Sequence, residues 1–408
     1  MNTTINSSRL FNASCFALIT TAMSFGIRAK LMPVFGAEFQ LSSEEVGWVA
    51  GTAFWGFTLA MIFGGPLVDI IGMKRIIWLA FIGHIIGIVA TIMATGFWSL
   101  FFGTLAIGIG NGMVEAACNP LVATIFKDQK TTMLNRFHVW FPGGIVIGGL
   151  VSYLILDKLD LGWNLLMGMM FIPLVIYGFM FWGQKLPETE RVASGVSTSD
   201  MFKATVRPLF IMMVLFMFLS AATELGTGQW IEALLGQVGV SAILLLVFIN
   251  GIMALGRSFA GPVVHRLNPV GMLVFSAVFS CLGLIWLSYS SGYMAFAAAA
   301  VFAIGICYFW PTILGFVAEY IPKSGALGLS IIGGAGMLSV SFALPFIGNL
   351  YDSQVATAVT SGLSETAAQL EGGSNTLRYV AILPAFLIIA FGGLYLYGKN
   401  RTKEEIAA

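Results

Sequence analysis

The chain has 408 residues, 58% of them hydrophobic and only 10% charged, with a mean hydropathy of +0.91. A soluble domain carries about 25% charged residues, so the composition excludes a water-soluble globule and points to a chain solvated by lipid. The net charge of +1 offers no basic field for a nucleic acid, and none is expected as a partner. Crossing the hydrocarbon takes roughly 20 apolar residues, and twelve such segments follow one another: 10–36, 45–69, 76–94, 97–126, 132–156, 163–183, 208–234, 240–264, 270–289, 292–320, 324–349 and 375–398. The expected fold is therefore all-α and integral to the membrane. The first apolar segment is longer than a signal-peptide core and lacks a cleavage-type end, so it is expected to stay as a membrane helix.

Between the sixth and seventh segments, "GQKLPETERVASGVSTSDMFKATVRP" is the longest polar stretch and reads as a linker at 184–207 between six-helix bundles at 1–183 and 208–408. Loop charges set the topology. With both termini in the cytoplasm, fourteen Lys and Arg residues fall on the inner side and only Lys158 and Arg378 outside, the positive-inside pattern of a plasma (inner) membrane protein. The four cysteines (Cys15, Cys118, Cys281, Cys307) lie in apolar stretches without metal-ligand spacing. They read as small hydrophobes, and neither a metal nor a cofactor is expected.

The halves repeat. "GGPLVD" at 64–69 and "AGPVVH" at 260–265 each follow the second helix of their half, and "FPGGIVIGG" at 141–149 matches "IIGGAGMLS" at 331–339 in the fifth. Two similar bundles in the same orientation imply a pseudo-twofold along the membrane normal with a polar cavity between them. The loop "GGPLVDIIGMKR" resembles the signature loop of the major facilitator superfamily, with Gly65, Asp69, Gly72, Lys74 and Arg75 at its matching positions. That resemblance implies alternating-access transport, with the Asp69 loop gating the outward-facing state by packing its charges on helix ends of the other half. A narrower resemblance is to the fucose-galactose-proton symporters: "VEAACNPLV", "LNRFHVWFPGG", "ATELGTGQWIEALL" and "CYFWPTILGFVAEY" resemble their fourth, fifth, seventh and tenth helices. It implies a sugar as solute and a proton as coupling ion. The chain departs from those symporters at His138, where they carry Gln, and at Arg28 and Lys30 on the first helix, where they use a carboxylate. Sugar identity and the choice between proton and sodium are left open.

Glu115 is the costliest residue in the first half, a carboxylate inside an apolar run. Intramembrane carboxylates face a bundle interior and mark solute or proton paths. It is expected to carry the coupling proton, with Arg28 as its ion-pair partner across the first and fourth helices; the alternative is a purely structural pair. Asn111, Glu115 and Asn119 are four apart and share one helix face. The solute site is expected at mid-membrane, from Asn111, Asn119, Asn135 and His138 in one half and Glu224, Gln229, Trp230 and Asn250 in the other, with Tyr308 and Trp310 as further aromatic candidates. Sugar sites join such hydrogen-bonding groups to an aromatic face, although an interfacial belt also explains membrane Trp and Tyr.

An integral-membrane enzyme needs a nucleophile, metal cluster or paired acids, and three scattered histidines supply none, so no catalytic residue is expected. A channel fits less well than a carrier, because repeated halves with Gly- and Pro-interrupted helices suit rocking around a central site. The expected function is ion-coupled uptake of a sugar or similar polar solute by a monomer in the bilayer; the rival is transport of an organic anion such as a sugar acid, neutralised by Arg28.

Overall fold

The computed structural model describes residues 5–41, 43–228, 242–399 and 401. Its membrane helices are α1 (Ser7–Glu38), α2 (Ser43–Ile71), α3 (Met73–Ile92) and α4 (Phe97–Ile125), then α5 (Lys127–Lys158), α6 (Trp163–Phe181) and α7 (Pro208–Gly226). They continue as α8 (Ala242–Ser258) and α9 (Ala260–Leu287), then α10 (Met294–Tyr320), α11 (Pro322–Thr360) and α12 (Glu365–Gly398). Eleven are long and apolar enough to cross a membrane, α8 is a shorter apolar helix in its described part, and there is no strand among the described residues. The protein is a multi-pass integral membrane protein.

The boundary between α8 and α9 lies where the sequence puts it. Asn268 sits at φ 55°, ψ 171° inside the continuous helical stretch, its side-chain oxygen accepts the Gly271 N–H at 3.0 Å, and Pro269 follows. An Asn cap with Pro at the first helical position starts a new helix, so residues 260–267 carry on α8 and α9 proper is 269–287.

α11 and α12 are corrections. The helix Gly325–Thr360 has 36 residues, about 54 Å at 1.5 Å each, against a hydrocarbon core of ~30 Å. It and the segment Glu365–Val380 extend past the expected ends at 349 and 375. These extensions are polar enough to escape a hydropathy reading.

Arg9 donates to the carbonyls of Met180 and Phe179 at the end of α6, and Tyr395 in the last turns of α12 lies beside Gly271 at the start of α9. Both chain ends and the linker thus share one side, called here the terminal face. On it Gly72 adopts φ +86° between α2 and α3, a conformation that suits glycine.

Within each half the helices meet at glycines. A Cβ on Gly108 would lie 2.9 Å from the Thr52 carbonyl, and one on Gly87 2.6 Å from the Ile107 nitrogen, which seats α4 against α2 and α3. In the second half a Cβ on Gly305 would lie 2.1 Å from the Ser280 nitrogen, and one on Gly283 2.4 Å from the Phe302 backbone. Lipid gives no hydrophobic drive for helices to associate, so close backbone approach at small residues supplies the packing. Gly305→Leu is therefore expected to lose folded protein or lower its melting temperature sharply, since overpacking a tight contact costs typically 1–3 kcal/mol or more. Gly168→Ala, where nothing stands within 4 Å of the new carbon, should leave the melting temperature unchanged in the same detergent.

Candidate functional site between the two halves

Three irregular helix segments meet at the centre. α5 is interrupted at His138 and Val139, between the helices Lys130–Phe137 and Trp140–Ser152. α10 is interrupted at Cys307 and Tyr308, between Met294–Ile306 and Phe309–Tyr320. α7 widens into a π-helical turn at Ala222–Gly226, which carries Glu224. Such interruptions free backbone carbonyls from the helical ladder, and within a membrane they persist only where something else satisfies them.

Arg257 of α8 is that partner. It is 1% exposed; its Nε donates to the Cys307 carbonyl at 2.6 Å, one Nη to the His138 carbonyl at 3.0 Å, and the other to Glu224 Oε1 at 3.1 Å. A guanidinium carries five N–H donors and stays charged in any environment, so its burial requires such acceptors. One comes from the first half and two from the second.

Beside it stands a second chain of bonds. Asn119 donates through Nδ2 to Glu115 Oε2 at 2.5 Å and, through Oδ1, meets His138 Nε2 at 3.0 Å. An amide oxygen only accepts, so the imidazole carries its proton on Nε2. His138 Nε2 is also 3.7 Å from Glu115 Oε2. Glu115, His138, Phe141, Glu224, Arg257 and Trp310 line one cavity of about 10 Å³, room for about one water. Two buried polar atoms at its wall have no partner among the described residues, Glu224 Oε2 and the Trp310 indole N–H. The Trp310 ring sits against Gly336 of α11, where a Cβ would come within 2.4 Å of it.

On the terminal-face side of this cavity the halves are joined. Asn135 donates to Thr312 Oγ1 at 3.3 Å, Thr131 donates through N–H and hydroxyl to Glu319 Oε1, and Lys130 donates to the Ala318 carbonyl. α2 and α11 approach closely at Gly65, where a Cβ would lie 2.6 Å from the Ser330 Cβ. Asp69 accepts a bond from Thr189 at the head of the linker helix Glu190–Ala193, and Lys130 pairs with Glu190 at 2.6 Å. The Asp69 bond thus engages the linker. Arg75 reaches back to the Ile71 carbonyl at 3.4 Å, and Lys74 is exposed beside it.

Glu115, Asn119, His138, Glu224 and Trp310 are therefore brought together, with Asn135 a turn away. Others are not. Asn111 lies in the first bundle's interior, bonded to Ser24 at 2.9 Å and to His84 at 2.9 Å, which in turn meets the Tyr177 hydroxyl. Eight residues of α-helix rotate about 80°, so Asn111 and Asn119 point into different spaces. Asn250 bonds back to the Leu246 carbonyl, and Tyr308 donates to the Gly256 carbonyl on the far side of α10. Gln229 and Trp230 lie outside the described residues.

Arg28 does not pair with Glu115. Its guanidinium stacks 4.6 Å from the Phe25 ring and 5.4 Å from Phe54, in a small cavity lined by Thr104 and Ile107 of α4. Those residues are eight and eleven positions before Glu115, about 12–16 Å along the helix. Lys30 pairs with Asp157 at 2.7 Å. The residue that sequence reasoning missed is Arg257. It lies well inside the expected eighth span, the same signal that singled out Arg28, but it also begins "GRSFAGPVVHRLNPVG", which reads as a copy of the signature loop.

A profile of the Major Facilitator Superfamily matches residues 14–344. A gallate transporter of Pseudomonas putida is 22% identical over 416 residues, covering 87% of this chain and 91% of its own length. A cis,cis-muconate transport protein of Acinetobacter baylyi is 27% identical, over 59% of this chain and 62% of its own, and a myo-inositol transporter of Candida albicans 25% identical, over 37% and 27%. The chain spans only 27% of the first two curated relatives it matches and 62% of the third. Among solved structures, a proton:xylose symporter superposes with a TM-score of 0.77 at 13% identity, covering 98% of each chain. The fucose:proton symporter of E. coli gives 0.69 at 17%, covering 92% of this chain and 98% of its own. A human organic anion transporter gives 0.71 at 12%, covering 95% and 100%. At these identities the superpositions establish the fold alone.

The Arg257–Glu224 pair carries its own test. Arg257→Met leaves a buried carboxylate without its cation, a loss of about 3–5 kcal/mol when one partner of such a pair is removed. The double change to Met at both positions replaces the ion pair by apolar groups and is expected to recover much of the melting temperature. Equal losses in the single and double variants would show that the two residues do not act as a pair.

Proposed function

The chain belongs to the Major Facilitator Superfamily, and on that premise we propose that it is a secondary transporter of a small hydroxylated organic acid, such as a sugar acid, working by alternating access with a proton as coupling ion. The observation that carries this reading is Arg257, a permanent cation between the halves that pairs with the Glu224 carboxylate. A solute carboxylate can take the place of Glu224 on the guanidinium, bidentate recognition being what that group does best. Arg257 thereby assumes the anion-partner role that the sequence alone suggests for Arg28. The unpartnered Trp310 N–H and Glu224 Oε2 suit solute hydroxyls, which also supports a second reading, a neutral sugar or polyol. Relatives named for gallate and muconate favour the acid, and the one named for myo-inositol favours the polyol.

In this reading the cavity is the occluded form of the site. Solutes of this class need a far larger pocket, typically 300 Å³ or more, so binding requires the halves to part. The contacts at Gly65, Thr131 and Asn135 close the terminal face, which we take as cytoplasmic from its Lys and Arg, and loading proceeds from the opposite side. The Asp69 bond to the linker helps hold that closure. Glu115 is the proton carrier: protonated, it lets the loaded cavity close without a second unpaired carboxylate; deprotonated, it repels the solute's charge and resets the cycle.

Two measurements decide between these parts. In proteoliposomes, uptake of a labelled hexose is compared with that of its uronic acid; preference for the uronic acid is expected, and preference for the neutral sugar would install the second reading. Glu115→Gln is expected to keep solute binding and exchange but to lose accumulation driven by an imposed pH gradient. Undiminished accumulation by that variant would remove Glu115 from the proton path, and accumulation that follows a sodium gradient instead would replace the coupling ion.

A further inference from the structure

The most spacious cavity described lies behind the α10 interruption, away from the central site. Its volume is about 510 Å³, and it is lined by α8, α9 and α10 with side chains that are apolar apart from Tyr308 and Arg266. Leu255 and Phe259 at its rim are 64% and 66% exposed, as expected of a groove that opens sideways toward lipid. The floor is the interruption itself. Tyr308 donates to the Gly256 carbonyl at 2.7 Å and the Cys307 thiol to the Met253 carbonyl at 3.3 Å, while the Cys307 carbonyl receives Arg257 on the other side. One residue layer therefore separates this groove from the buried ion pair.

Charge at its end identifies the occupant. Arg266 lines the groove two residues before the Asn268 turn, on the terminal face, and makes no ion pair or hydrogen bond among the described residues. From Arg257 to Ala318 the sequence contains no Asp or Glu, so no acidic side chain of α9, nor of α10 before its last turn, can compensate it. An exposed guanidinium at this depth meets lipid phosphate, and an apolar groove leading away from it into the hydrocarbon suits an acyl chain. We propose that the groove binds one acyl chain of an anionic phospholipid from the leaflet on the terminal face, with its phosphate on Arg266, and that the chain braces the α10 interruption from behind.

The proposal is independent of what the protein transports, and lipid contact is its readout. Purified full-length protein is placed in vesicles of phosphatidylglycerol or of phosphatidylcholine, each with a trace of the same lipid carrying a photoreactive diazirine in its acyl chain. The adducts are then mapped to peptides. With phosphatidylglycerol, adducts should concentrate on residues 252–267 and 304–308, and Arg266→Gln should cut them about fivefold, the weight of one basic residue at an anionic surface, while labelling of α3 stays constant. Leu255→Trp, which fills the groove without touching the charge, should reduce the same adducts. Equal labelling by both lipids, unchanged in Arg266→Gln, would reduce the groove to ordinary boundary-lipid contact. Loss of labelling on adding inorganic phosphate would overturn the proposal in favour of a free-anion site.

Discussion

The burial of one guanidinium organises the centre of this molecule. Arg257 cannot shed its charge, so every donor it brings inside must find an acceptor, and a regular α-helix offers poorer ones because its carbonyls are already engaged in its own ladder. The acceptors come from places where the ladder fails: the interruptions in α5 and α10 and the π turn of α7. The irregular segments and the arginine are thus mutual requirements. Each would be costly in lipid without the other.

That dependence places a joint between two stiff bodies. Inside each half, helices touch backbone to backbone at glycines such as Gly108 and Gly305, where no small displacement is tolerated. Across the halves, many contacts are side chains reaching to carbonyl, hydroxyl or carboxylate oxygens, as with Lys130 to Ala318, Asn135 to Thr312, Thr131 to Glu319 and Arg257 to His138. Individual hydrogen bonds of this kind are worth about 0.5–1.5 kcal/mol net, more where charged, and can be exchanged for water as a cavity opens. Close glycine contacts also cross between the halves on the terminal face, at Gly65 and Gly315, so there the proposed rocking would have to part tightly packed backbones as well as hydrogen bonds.

Much of this fold was legible because lipid imposes a one-dimensional rule on sequence: an apolar run long enough to cross must cross. The turn at Asn268 and Pro269 and the conformation of Gly72 follow from local chemistry and were equally readable. What escaped depended on rotation and depth. The i, i+4 spacing of Asn111, Glu115 and Asn119 is a shared face only to within the helix's slow drift, and by Asn111 the drift has carried the side chain into the bundle around His84. Arg28 and Glu115 were matched by charge, whereas their axial levels, fixed by packing of α1 on α4, keep them apart. Arg257 carried a visible signal, but a motif reading absorbed it. Motif and burial are separate sources of constraint, and a residue can answer to both.

The charges gathered in the cavity give the last step. Glu115 and Glu224 line one cavity with a single guanidinium, so with both carboxylates ionised these three groups carry one negative charge in excess. Like charges repel more strongly in such an interior than in water because the effective dielectric is lower, and a cavity with room for about one water offers little screening. Closure around an anionic solute adds a third carboxylate to that count, and closure without any solute leaves the excess at one. In the proposed cycle Glu115 takes a proton when the site closes on solute and gives it up when the site empties, so the added carboxylate is met by an added proton. On that proposal the Glu115–Glu224–Arg257 cluster would match each added solute charge with a proton. A neutral solute brings no charge for that proton to offset, which is why such coupling suits an acid better than a sugar.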